Sequence, residues 1–310
     1  MTAPSKTNAT AIGALALYAL AWCGSAAVLF ATGSDDAVSA PIILVVTGIG
    51  FPLIAWALTR QDAPPAIPVP RPGLELGVIL VFLALYAVFF TGYGLNAFHA
   101  AFAPGRLEAV LLTAFKLVVH VGLPVLILLA IGGRPGALFT IRANSRGFWL
   151  ILLVLGAISL AFIGLVSPSL KQIAALKLSP PMLAATILAT FAWLAVEAGL
   201  CEEFLFRAVL QTRLAAAMRS EAGAACVAAL LFALAHVPGL YMRSGADVSG
   251  HSANLLAVIA YAIAVLSPIG LGLGFVWART RSLLLVVLLH ALIDLLPGVS
   301  EFAHTWVLPG

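Results

Sequence analysis

Long apolar segments recur along this chain, and that recurrence limits its folds more than any other feature. The segments cover residues 11–31, 41–58, 74–91, 109–131, 148–166, 182 to about 213, 222–237, 254–277 and 283–296. Most approach the ~20 residues that a helix needs to cross a hydrocarbon core of ~30 Å. A backbone amide in lipid finds no water, so each segment must satisfy its own hydrogen bonds, and only helices do that without closing a barrel. Composition agrees. Apolar residues make up 63% of the chain and charged residues 9%, against about a half and a quarter in soluble domains. A surface that poor in charge cannot be wetted, so membrane lipid is its expected surrounding. The expected fold is an all-α polytopic transmembrane helical bundle of eight or nine helices.

Other function classes fall away on the same grounds. A net charge of +4 is too small to call for a nucleic-acid partner. Cys23, Cys201 and Cys226 sit in apolar runs without paired spacing and imply no disulfide framework. The run 11–31 exceeds the length of a signal-peptide core, and Pro41 follows the nearest small-residue cleavage candidate, so it reads as a retained first span. Lys6, Arg60, Arg71, Arg134, Arg142, Arg146, Arg213, Arg219, Arg279 and Arg281 fall on one set of loops. Arg106, Lys171, Lys177 and Arg243 fall on the other. The richer set is expected in the cytoplasm, with the N-terminus inside. A bacterial inner (plasma) membrane is the expected location.

Ionisable residues inside spanning helices are costly and are functional candidates by default. In the sixth segment Glu203 and Arg207 stand four apart and share a helix face, which suits a buried structural clamp. Glu202 points about 100° away and is free to face a cavity as a reactive carboxylate. Phe232 and His236 lie one turn apart on the next segment, where Pro238 is expected to end the helix. His290 and Asp294 repeat the same spacing on the last. With a turn near 218–221, Glu202 and His236 both lie roughly 22 Å from it at ~1.5 Å per residue, so antiparallel neighbours would bring them level. Glu197 could add a third carboxylate or make an interhelical hydrogen bond. Lys116 and His120, on the fourth segment, form a rival site whose bland reading is a snorkelling lysine and a paired histidine. His99, His251 and His304 are expected in loops.

Glu202-Glu203-x-x-x-Arg207, then Phe232-x-x-x-His236, then His290-x-x-x-Asp294 resembles the three-motif signature of the CPBP family. That family holds CAAX prenyl endopeptidases of the Ras-converting type, with bacteriocin-processing and abortive-infection or self-immunity relatives. The resemblance covers 183–297. It implies a protease core at 182–300 behind helices without recognised motif at 1–181. It further implies an intramembrane endopeptidase that cuts a membrane-associated protein or peptide near the cytoplasmic side. In that reading Glu202, assisted by His236, activates a water, and His290 with Asp294 stabilises the oxyanion. Glu203 and Arg207 are structural, and Phe232 shapes the pocket wall. The commoner family form carries Asn where this chain has Asp294, so Asp294 is either protonated, an orienting acceptor for His290, or a metal ligand. No cofactor is favoured; the alternative is zinc on His236, His290 and Glu202. A rival from another class is a transporter, scaffold or immunity factor that uses the polar cluster only for binding. A transporter would repeat such features in both halves, whereas the cluster lies in one.

Overall fold

The computed structural model describes residues 6–61, 63–141, 143, 146–242 and 250–308, and helix is the dominant structure, with no strand among them. Among the described residues nine helices are long and apolar enough to cross a membrane. They are α1 (Ala9–Ala31), α2 (Asp36–Thr59), α3 (Pro72–Ala101), α4 (Arg106–Ala130), α5 (Gly147–Val166), α6 (Pro180–Met218), α7 (Glu221–Met242), α8 (Leu255–Thr280) and α9 (Leu283–Val307). The chain is an all-α polytopic bundle and an integral membrane protein.

Several ends run past their expected limits. α7 continues through Pro238 to Met242, and α9 continues through Pro297 to Val307. A proline removes one ladder bond, and in a membrane bundle neighbouring helices re-satisfy the freed group, so it need not end the helix. His99 and His304 accordingly lie near the ends of α3 and α9 rather than in loops, while His251 does lie in a connection.

The centre of the bundle is α7, α8, α9 and the second half of α6. From Phe204 to Leu214 every residue of α6 is buried, as expected of a helix enclosed on all sides. Small residues let these helices approach closely. A Cβ on Gly272 of α8 would stand 2.5 Å from the Thr47 carbonyl oxygen of α2, so no other residue fits that crossing.

Ion pairs fix one end of the bundle and hydrogen bonds to backbone carbonyls the other. Arg213 was expected in a loop, but it lies fully buried in α6 and pairs with buried Glu75 of α3, Nη2 to Oε2, at 3.2 Å. An arginine so placed is a tie between helices and leaves the tally of loop charges. Arg281, just after α8, pairs with Glu221 at the start of α7. The start of α3, the α6–α7 hairpin and the α8–α9 connection therefore share one end. At the other end Arg106 donates to the carbonyls of Thr305 and Trp306, at 3.2 and 3.1 Å. Of the topology markers, Arg142 and Arg243 lie outside the described residues, as do the side chains of Lys6 and Arg146.

Candidate active site

α6 carries the centre of the site, and its backbone departs from regular α-geometry there. Ala195–Leu200 and Phe204–Gln211 are π-helical and flank a short α-helical stretch, Cys201–Glu203. Such wide turns recur at functional sites. They also explain why Glu197 joins Glu202 in one cavity. On a regular helix residues five apart diverge by about 140°, whereas the wider π-turn brings i and i+5 toward one face.

Glu203 and Arg207 form the buried pair that their spacing predicts, Oε2 to Nε at 3.2 Å. The guanidinium also donates to the Gly270 carbonyl of α8 at 3.4 Å and lies 4.5 Å from the Phe232 ring centroid on α7. Arg207 thus ties α6 to two neighbours. The other oxygen of Glu203 accepts a hydrogen bond from His290 Nδ1 at 2.7 Å, a contact between α6 and α9 that no spacing in the sequence announces. One turn before Glu203, Gly199 lets those helices meet, since a Cβ there would stand 2.7 Å from the Val287 carbonyl oxygen.

The remaining candidates face one another. His290 Nε2 lies 3.2 Å from Asp294 Oδ2 and 3.9 Å from Glu202 Oε2. His236 Nδ1 sits 2.8 Å from the Phe232 carbonyl oxygen one turn back. A carbonyl only accepts, so Nδ1 carries the proton and Nε2 presents a lone pair in the neutral ring. That Nε2 stands 3.7 Å from Glu202 Oε2. The structure therefore brings Glu202, Glu203, Arg207, Phe232, His236, His290 and Asp294 into one neighbourhood. Asp294 is the most exposed of them, its side chain 40% accessible against 8% for His290.

A cavity of about 390 Å³ opens beside Glu202 and His236. Its far wall comes from α3 and α4, outside the three motifs. Lys116 pairs with Glu197 across that cavity rather than snorkelling to the surface. His120 Nε2 hydrogen-bonds Tyr86 Oη at 3.0 Å, and its Nδ1 sits 2.8 Å from the Lys116 carbonyl oxygen. The rival pair on α4 is thus part of the same cavity as Glu202. Tyr86 was missed, because a lone tyrosine in an apolar run carries no motif. Among the described residues no group of three or more His, Cys, Asp or Glu side chains is arranged to hold a metal ion.

Comparison with known proteins finds a likeness over part of the chain. Residues 184–296 match the family model described as type II CAAX prenyl endopeptidase Rce1-like. No curated protein and no solved structure matches the chain. The matched stretch agrees with the motif-based resemblance to within one residue at either end, so residues 184–296 are similar to an Rce1-like domain. Tyr86, Lys116 and His120 lie outside it.

Proposed function

We propose that this chain is an intramembrane endopeptidase in which Glu202 activates a water to hydrolyse a peptide bond of a membrane-associated protein or peptide. One observation carries the reading. Glu202 Oε2 stands 3.7 and 3.9 Å from the Nε2 atoms of two histidines on different helices. Those gaps are too long for direct hydrogen bonds and suit a bridging water.

Glu202 carries the proton through the reaction. Glu202 takes a proton from the water as its oxygen attacks the carbonyl carbon. The carbonyl oxygen gains the negative charge and accepts from the Nε2–H of His290, which acts as the imidazolium with its Nδ1–H donated to Glu203. His236 orients the water through its lone pair. Collapse of the tetrahedral intermediate breaks the C–N bond, and Glu202 returns its proton to the leaving amine. Asp294 holds His290 from the exposed side of the site. Orientation follows the loop charges: without Arg213 nine basic residues still fall on one set of loops against four on the other. The N-terminus and the α6–α7 hairpin are then cytoplasmic in a bacterial plasma membrane, and substrate is cut near that side.

The test is cleavage of a peptide panel by the purified protein, including leader peptides and prenylated CAAX peptides, with and without chelator. The wild type should cut at least one member with chelator present, and Glu202→Gln should cut none. A Glu202→Gln protein with undiminished cleavage, or cleavage lost to chelator and restored by zinc, would overturn the mechanism.

A further inference from the structure

A second cavity of about 350 Å³ lies against the first. The two share three lining residues, His99, Leu112 and Glu197, so they are adjacent. The second cavity opens among the start of α4, the first half of α6 and the end of α9, with Thr113, Thr190 and Glu301 in its wall. Arg106 and Trp306 meet at this end of the bundle, which is opposite the α6–α7 hairpin. Glu108, also in its wall, pairs with His99 at 3.0 Å.

One side chain in that wall is left wanting. Thr113 is only 7% exposed, and its hydroxyl has no hydrogen-bond partner among the described residues. A buried hydroxyl without a partner is rare, and an ordered water is the ordinary remedy. The cavity has room for several waters, at roughly 30 Å³ each in the liquid, and offers the two to four polar groups that a buried water needs. We propose that this second cavity is a water chamber that feeds the catalytic site from the end opposite the hairpin. A peptide seated over Glu202 covers the first cavity, and each turnover consumes one water. A chamber behind the Lys116–Glu197 pair replaces that water without requiring the substrate to leave. The supply role rests on the hydrolytic reading above; the wetness of the chamber does not.

The experiment uses the full-length protein carrying Cys23→Ser and Thr113→Cys, a small exchange at a position outside the catalytic group. Buried Cys201 and Cys226 serve as internal references. The probe is a water-soluble trimethylammonium-ethyl methanethiosulfonate, with modification located by mass spectrometry. The introduced thiol should react well before Cys201 and Cys226. Its modification, which fills the chamber, should lower kcat by roughly tenfold with KM little changed, a rise of about 1.4 kcal/mol in barrier. The uncoupled Thr113→Val variant should shift kcat in the same direction. A thiol at 113 as unreactive as Cys226 would overturn the chamber, and full modification with unchanged kcat would overturn its supply role. A parent protein that cleaves nothing counts against the hydrolytic reading instead, because the labelling rate reports the chamber by itself.

Discussion

Replacing Glu203 by Gln removes the single anion that two deep groups share. One carboxylate oxygen faces Arg207 Nε at 3.2 Å and the other faces His290 Nδ1 at 2.7 Å. Neither Glu203 nor Arg207 is more than 1% exposed. Gln keeps the volume but turns its carbonyl oxygen to only one of these donors and its NH2, itself a donor, to the other. Removing one member of a buried ion pair typically costs about 3–5 kcal/mol. The Gly270 carbonyl and the Phe232 face still hold Arg207, which sets the expectation at the lower end, about 3 kcal/mol. Glu202 has no comparable tie, because its nearest ring nitrogens are 3.7 and 3.9 Å away. Glu202→Gln should therefore cost no more than about 1 kcal/mol while abolishing cleavage. The assay is thermal unfolding of both variants in detergent, together with a Glu203→Gln/Arg207→Met double variant. Removing both charges should recover part of the loss, since an uncompensated buried charge is what destabilises the single variant. Equal midpoints for Glu202→Gln and Glu203→Gln, or a double variant no more stable than the single one, would refute the division of labour between the adjacent acids.

Two further substitutions probe neighbouring contacts. Asp294→Asn retains an oxygen acceptor 3.2 Å from His290 Nε2 and should keep activity within roughly tenfold, about 1.4 kcal/mol in barrier; rates of the Asn and Ala variants across a zinc titration check this, and a dead Asn variant revived by zinc would contradict it. Gly199→Val would drive its Cβ into the Val287 carbonyl oxygen, so α6 and α9 must part; a loss of about 1–3 kcal/mol in stability is expected, with slower cleavage as Glu203 draws away from His290, and an unchanged midpoint and rate would show that the close approach is not needed.

Part of the site was legible because its determinants are local. Phe232–His236 and His290–Asp294 are one-turn pairs that a 3.6-residue period places on one face wherever the helix packs, and Glu203–Arg207 keeps its shared face because four residues also come close to one turn of the wider π-helix. The matched depth of Glu202 and His236 followed from counting residues to a common turn, because an antiparallel hairpin fixes relative height. The π-turns of α6 were not legible. They break the period on which such reasoning depends, and with it the expected directions of Glu197 and Glu202. Lys116 could be singled out as an intramembrane charge, but its partner Glu197 lies 81 positions away.

The sequence by itself therefore determined that the chain is a bundle of spanning helices, which residues are too polar for lipid, and which of them share a turn. Each follows from composition or from a period within one helix. Only the tertiary structure decided that Glu203 serves His290 as well as Arg207, that Arg213 is a buried tie to Glu75, that α3 and α4 complete the cavity, and that Thr113 faces a second one. Those contacts depend on how far each helix is rotated and how closely it approaches its neighbour. Rotation and approach are set where backbones meet, as at Gly199 against Val287 and Gly272 against Thr47, and no one-dimensional period carries that information.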